Sequence, residues 1–398
     1  MSFQLRPVDP TRDESVTRVF DSAFAREERE SSMARTLASH PAFDAELSLI
    51  AMQADEAVGA AVFTRQELRL HGLPIAAASC APIGVSPLVR GTGAGRALLE
   101  EGLTRLRDSG CRCVTAIGAP EFFSGSGFGA AFDLYSQRVP IAVLADYEAV
   151  EANWRGLAGQ DLPQLLELDQ ASWGAVDGSV VRSGSHLDWE AQARDSFALC
   201  SERDGEVRAY LRFRVRETVE VTDCCVRGPG AIQDVLFLLA RLGREHSRDV
   251  VELRLPPNHP IARAAFRLGS PIEMGDFGGA SMLAVLDWPG LFDDLSSELV
   301  PRLLRAKRPS LSLGIEGRDY QIGFRGGHFE CNEGRDPVQH IDVPAGWAPG
   351  LITGRNSGLE LAFESGEENP EFVALLEAFF PRRTPTWAYG PIFELADD

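Results

Sequence analysis

"SPLVRGTGAGRALLEEG" occupies Ser86–Gly102, and its reading decides the fold. Gly91, Gly93 and Gly95 lie with Arg90 and Arg96 between an apolar run, "CAPIGV" (80–85), and a leucine-rich segment. Glycine permits backbone conformations and close approaches that a side chain forbids. A helix N-terminus carries unpaired N–H groups and the positive end of the helix dipole. The stretch therefore predicts a strand-to-helix turn suited to an anion, above all a phosphate.

Outward from the turn, Leu98, Leu99, Gly102, Leu103 and Leu106 share one helix face, while Glu100, Glu101, Arg105 and Asp108 lie elsewhere. Gly110 is the expected C-cap. "CRCVTAIG" (111–118) then reads as a parallel strand, which closes a βαβ unit. Upstream, a helix in "DPTRDESVTRVFDSAFA" (9–25) precedes three strands, "LSLIAMQ", "VGAAVFTRQELRL" and "IAAASCAPIGV", an antiparallel meander. Pro82 and Gly84 are poor ladder residues, so the last strand is expected to carry a bulge or backbone left open to a ligand.

The same grammar returns. A helix in "DLPQLLELDQASW" is followed by a hairpin turning at Asp204-Gly205, the strand "TVEVTDCCV", a loop and helix "RGPGAIQDVLFLLARLG", and the strand "VVELRLP". Arg227-Gly228-Pro229-Gly230-Ala231 echoes Arg90-Gly91-Thr92-Gly93-Ala94, but Pro229 has no N–H and Ile232 stands where Gly95 would be. This second unit is expected to be a degenerate duplicate that binds no cofactor. From about Leu291 short strands with Gly and Asn turns lie between helices, an α+β texture. The expected divisions are 1–145, 146–290 and 291–398.

Composition narrows the function. The chain has 398 residues, 44% of them hydrophobic, and a formal net charge of −19. That charge disfavours nucleic acid and anionic membranes as partners and is compatible with a cationic substrate. No apolar run is long enough to span a bilayer, and the charged N-terminus does not read as a secretory signal. Seven scattered cysteines suit a reducing cytoplasm. Cys111 and Cys113 form a lone CxC, read as strand packing, so no metal is expected.

Two rival readings of the glycine turn fail. A Walker A loop needs GxxxxGK[ST], and no such lysine or hydroxyl follows Gly95. A dinucleotide fingerprint needs a third glycine after Gly93-Ala94-Gly95-Arg96-Ala97-Leu98, and an acid at the end of the next strand; neither is present. What remains is Arg90-x-x-Gly93-x-Gly95 behind a bulged strand. Downstream, "PEFFSGSGFGAAF" (120–132) puts a short helix and Gly127-Phe128 on the far side of the same cleft.

Together these residues resemble the GNAT acetyltransferases, whose cofactor loop reads [QR]xxGx[GA] and whose later segment reads [FY]YxxxGF, here Phe122–Phe128. "NHPIARAAFRLG" (258–269) carries a trace of that segment in the second unit. Two such units and a hairpin-rich tail resemble the Eis-like (enhanced intracellular survival) N-acetyltransferases. That resemblance implies an α+β chain with two tandem GNAT domains, the second degenerate, and a sterol-carrier-protein-like C-terminal domain. It implies acetyl-CoA as co-substrate, a small-molecule amine as acceptor (a polyamine, an aminoglycoside-like amine or a lysine) and a homo-oligomer, commonly a hexamer.

Under this reading, N–H groups from Gly91 through Thr92, Gly93, Ala94 and Gly95 to Arg96 meet the pyrophosphate of coenzyme A, with charge from Arg90 and Arg96. The backbone of Ile83, Gly84 and Val85 pairs with the pantetheine arm like an added strand. The Val85 N–H is the expected oxyanion donor, a role worth roughly 3–4 kcal/mol. Phe123 and Ser124 are expected across the cleft. The resemblance places the family's acid tyrosine at Phe123 or, in Eis-like enzymes, at Phe128; neither has a hydroxyl. Since such an acid contributes about 10²–10⁴-fold, slow rather than absent turnover is expected. Tyr135 and Ser124 are weak local substitutes. Relatives use a C-terminal carboxylate as base; here Asp398 either supplies it or ends a solvated extension. Glu27, Glu28 and Glu30 either attract a cationic amine or form a solvated run. The alternative function is an acyl-CoA-binding or regulatory protein with weak or no turnover, and a lipid-carrier role for the last domain rests on fold analogy alone.

Overall fold

A computed structural model of the protein describes residues 3–24, 29–147, 153–191, 196–275, 280–306, 310–326, 328–336 and 339–386. Along the first third run strands β1 (Gln4–Pro7), β2 (Leu49–Gln53), β3 (Glu56–Leu70), β4 (Leu73–Val85), β5 (Cys113–Gly118) and β6 (Phe128–Ala130). The middle carries β7 (Leu134–Pro140), β8 (Asn153–Gly156), β9 (Phe197–Arg203), β10 (Glu206–Val215), β11 (Val219–Val226), β12 (Val250–Leu253), β13 (Glu273–Gly275) and β14 (Ala280–Val285). Last come β15 (Ser310–Ile315), β16 (Arg318–Arg325), β17 (His328–Glu333) and β18 (His340–Asp342). The helices that bear on the site are α1 (Glu14–Phe24), α2 (Arg29–Ala38), α3 (Ala94–Asp108), α4 (Pro120–Phe123), α5 (Leu162–Trp173), α6 (Gly184–Ala191) and α7 (Gly228–Glu245).

The first sheet has the order β1-β2-β3-β4-β5-β14-β6. β3 and β4 form a long hairpin closed by His71-Gly72, both at positive φ, 55° and 83°, as a two-residue turn of matching twist requires. β4 runs parallel to β5, with α3 as the crossover. The leucines of α3 predicted to share a face, Leu98, Leu99, Leu103 and Leu106, are buried against Phe63, Ala78, Val114 and Ala116.

The second sheet repeats the plan in the order β13-β7-β12-β11-β10-β9-β8, with β11 parallel to β12 and α7 between them. A third, four-stranded sheet has the order β17-β16-β15-β18. The fold is thus α+β, with two tandem GNAT-like units and an additional C-terminal part of sheet and helices.

One strand in each large sheet departs from chain order. The position beside β5 is taken by β14, residues 280–285, and the matching position beside β12 by β7, residues 134–140. Internal contacts accordingly gather residues up to 132 with 278–385 into one compact unit and 133–277 into another. This differs from the three consecutive segments expected, 1–145, 146–290 and 291–398, because each exchanged strand satisfies its backbone donors and acceptors in the other repeat's ladder. No described helix is long and apolar enough to cross a membrane.

Candidate functional site

β4 and β5 pair from Ala77↔Cys113 to Cys80↔Ala116 and then part. At the same place the β3–β4 register jumps from Phe63↔Cys80 to Ala61↔Ile83, so Ala81 and Pro82, joined by a cis peptide, both oppose Val62. This is the bulge that Pro82 foretold. Beyond it Ile83, Gly84 and Val85 stay paired to β3 on one edge, while the ladder to β5 has ended. A bulge adds twist and re-aims the strand that carries it, and here the unpaired edge faces a cavity.

That cavity holds about 700 Å³, within the range of small-ligand clefts. Its walls are Ile83–Val85, the loop residues Val89, Arg90, Gly91 and Gly93, the start of α3 at Ala94–Arg96, Ala119 and Phe122, and Ala23 and Phe24 at the end of α1. Nine of the residues expected to meet the cofactor are thereby brought together: Ile83, Gly84, Val85, Arg90, Gly91, Gly93, Ala94, Gly95 and Arg96.

The loop owes its form to backbone requirements. Gly91 and Gly93 take φ of 75° and 95°, and a Cβ on either would touch no heavy atom within 4 Å. Conformation rather than crowding therefore requires glycine at both. Gly93 caps α3 in the left-handed region, and the first bond inside the helix is Ala97 N–H to Gly93 O at 2.9 Å. The amides of Ala94, Gly95 and Arg96 precede that bond and have no acceptor within the helix. With the helix dipole behind them, they form an anion cradle at the cavity wall.

The two loop arginines are held by carbonyls. Arg90 Nη2 donates to Ala23 O. Arg96 donates from Nη1 to Ser124 O at 2.7 Å, from Nη2 to Gly125 O at 2.9 Å, and from Nε to Glu100 at 2.6 Å. The carbonyl contact leaves the Arg90 charge in place, whereas Arg96 is also ion-paired with Glu100. The carbonyl contacts also fix the loop to α1 and to the segment after α4, a positioning role the sequence pattern did not disclose.

The remaining expected residues lie off the cavity wall. The Thr92 hydroxyl donates to Val89 O at 2.5 Å. Ser124 contributes its carbonyl to Arg96. Phe123 is 3% exposed, with its ring 4.9 Å from those of Phe122 and Phe128. Phe128, on β6, is 8% exposed and packs in the core with Cys80, Ala116 and Met282. Tyr135 belongs to β7 of the second sheet, and its hydroxyl donates to the Asp133 carboxylate at 3.4 Å. Asp398, Glu27 and Glu28 lie outside the described residues.

Two features were missed from sequence. Phe24 lies directly over Gly84, where a Cβ would meet its Cε2 at 2.7 Å; a glycine within a strand signals such an approach without naming the partner. Asp21 on α1 is the other: its Oδ1 is buried with no hydrogen-bond partner among the described residues, as is Oε2 of Glu30 on α2, an acid the sequence did single out. Cys80, where the strands part, offers no thiolate nucleophile, because burial pushes its thiol up to about 12. The lone CxC is buried packing, with Cys111 3% and Cys113 0% exposed.

A bulged strand thus parts from its parallel neighbour, with a glycine-capped helix at the gap. Residues 4–131 match the family described as an acetyltransferase (GNAT) domain, and GNAT domains use acetyl-CoA. Among solved structures, a GCN5-related N-acetyltransferase from Anabaena variabilis is 15% identical with a TM-score of 0.74, over 97% of this chain and 99% of that one. A GCN5-related N-acetyltransferase from Kribbella flavida is 18% identical with a TM-score of 0.74, over 97% of each chain. Eis1 from Mycobacterium abscessus is 17% identical with a TM-score of 0.65, over 97% of this chain and 99% of that one. At these identities the likeness establishes the fold across nearly the whole chain. None of the curated proteins matches the chain in sequence.

Proposed function

We propose that the protein is an acetyl-CoA-dependent N-acetyltransferase acting on a cationic amine. The observation that carries this is the unpaired edge of Ile83–Val85, opening into a cavity closed by the N-terminus of α3. Acetyl-CoA supplies an acyl group activated as a thioester. Ile83 and Val85 offer backbone donors and acceptors to the amide arm, and the Ala94–Arg96 amides take the pyrophosphate. The Val85 N–H serves the carbonyl oxygen that gains negative charge as the amine attacks.

The unpartnered oxygens of Asp21 and Glu30, on the two helices that follow β1, support a cationic acceptor. A buried carboxylate oxygen without a donor is costly, and an ammonium group supplies donor and counter-charge together. A polyamine, an aminoglycoside-like amine or a lysine fits this requirement. Within the same reading the chain is Eis-like, with a sterol-carrier-protein-like C-terminal domain, works in the cytoplasm and assembles as a homo-oligomer. Phe123 and Phe128 bring no hydroxyl to the departing thiolate, and the reading accepts slow turnover as the consequence. The test is thiol release from acetyl-CoA across a panel of polyamines, aminoglycosides and lysine peptides. Amine-dependent release is expected. Tight acetyl-CoA binding without release on any amine would instead establish an acyl-CoA-binding protein.

A further inference from the structure

We propose that the C-terminal sheet binds a divalent transition-metal ion, zinc or manganese, through Asp319, His340 and Asp342. This stands independently of acetyl transfer. The register of the sheet sets it up. β15 is flanked by β16 and β18, and Gly314 pairs with Asp319 on one side and Asp342 on the other. One step along the same face, Ser312 pairs with His340. Cross-strand partners share a face, so two acids straddle a glycine with a histidine beside them.

The glycine leaves the space in which the donors converge. A Cβ at Gly314 would lie 2.2 Å from Asp342 Oδ1 and 3.4 Å from Asp319 Oδ1. One ligand atom from each of Asp319, His340 and Asp342 lies within 4.8 Å of the others. His340 Nε2 is 3.0 Å from Asp342 Oδ1 and 3.8 Å from Asp319 Oδ1.

A serine hydroxyl stands behind the imidazole. Ser312 Oγ lies 3.0 Å from His340 Nδ1 and 3.4 Å from Gly334 O, so it can accept from Nδ1 while its hydroxyl points to the carbonyl. Without a metal, Nε2–H donates to Asp342 Oδ1 at 3.0 Å; in the tautomer with its hydrogen on Nδ1, held by Ser312, Nε2 turns a lone pair toward the two carboxylates and can ligate a metal ion. The His340 side chain is only 7% exposed, so the ring is held in this orientation. A metal ion takes the place of the Nε2 hydrogen by accepting all three groups as ligands at once. Arg335 reaches Asp319 and Asp342 from the rim at 3.9 and 4.0 Å, beyond hydrogen-bond distance, and does not fill that space. One imidazole nitrogen with two carboxylates favours zinc or manganese over calcium or magnesium, which prefer all-oxygen shells. The serine behind the ring has the place of an outer-shell partner.

The test uses the full-length protein, stripped with chelator and dialysed against Zn²⁺ and, separately, Mn²⁺. One ion per chain is expected for at least one of the two metals. His340→Gln should abolish retention. Ser312→Ala should weaken it about 10-fold or more. Gly314→Ala should weaken it likewise by displacing Asp342, whose 76% exposed side chain has room to swing outward; an unchanged melting temperature without metal confirms that its fold is intact. No ion retained from either solution would overturn the proposal. Retention unaffected by all three substitutions would overturn it equally, by placing the ion elsewhere.

Discussion

The strand ends before α3 and α7 occupy equivalent places and meet opposite fates. Val85 pairs with Gly59 and Val226 with Ala209 at the ends of matching hairpins. In the first unit Ser86–Gly93 intervene before the helix; in the second, Arg227 alone does. In the first, the strand edge faces a cavity. In the second, the Cys224 carbonyl accepts from His259 Nε2 at 2.9 Å, and the Val226 N–H donates to Ser172 Oγ at 3.1 Å. Asp223 is held by Trp173 Nε1 at 3.0 Å and by Arg182 at 2.8 Å. Arg227 is bound by Glu206 at 2.7 Å and Glu167 at 3.0 Å, and Pro229 sits in the first turn of α7. A duplicated unit can therefore keep its sheet and crossover helix while its own side chains take up the groups that would meet a ligand.

The sharpest way to break this contrast is Gly93→Asp. It puts a carboxylate at the anion cradle and forces a residue with a Cβ to φ of 95°. Like-charge juxtaposition costs several kcal/mol, so acetyl-CoA affinity should fall about 100-fold or more by calorimetry. The wild-type titration should show one site per chain. Unchanged affinity in the variant, or two equal sites in the wild type, would end the distinction between the loops.

A smaller effect tests how the second edge is closed. Burial pushes the His259 imidazole down to about 4. The folded value lies below the ordinary ~6.5, so the neutral ring contributes stability that is fully present above pH 6.5 and lost as pH falls towards 4. Between pH 7 and pH 5 the loss is about 2 kcal/mol. Urea unfolding at the two pH values should show a difference smaller by that amount in His259→Gln. Equal pH dependence in both proteins would mean that protonation of His259 does not govern this edge.

The smallest expected effect concerns Phe128. If the proposed chemistry holds, Phe128→Tyr returns a hydroxyl where relatives have one, and single-turnover transfer should rise about tenfold across pH 6–9. No rise with acetyl-CoA binding intact would place the proton donor elsewhere.

Much of this contrast was legible in the sequence because it rests on local rules. Pro82 within a strand pattern marked the bulge. Gly110 ends α3 with N–H bonds from Gly110 to Arg107 O at 2.9 Å and from Cys111 to Leu106 O at 3.0 Å. Asp204-Gly205 turns its hairpin at φ of 56° and 80°. Contacts remote in sequence were not legible. Phe24 follows Phe20 by one helical turn, their centroids 6.2 Å apart, and so reads as more core rather than as a cavity wall. The loop cations Arg90 and Arg96 carry no mark of which carbonyls they hold. The patterns of β7 and β14 identify them as strands, but nothing in either names its sheet, since pairing uses backbone groups common to every residue.

The exchange of β7 and β14 bears on how the chain is made. While the ribosome has delivered only the first repeat, the gap between β5 and β6 stays open. About 150 further residues, from the end of β6 at Ala130 to the start of β14 at Ala280, must emerge before it closes. At ordinary synthesis speeds this leaves two unpaired ladder edges on the nascent protein for roughly 8–30 s. Unpaired edges invite association with other chains. The first repeat cut off at residue 132 would keep that open gap permanently, so the unit that reads in sequence as a self-sufficient enzyme should precipitate when expressed alone and stay in solution when residues 278–285 are supplied.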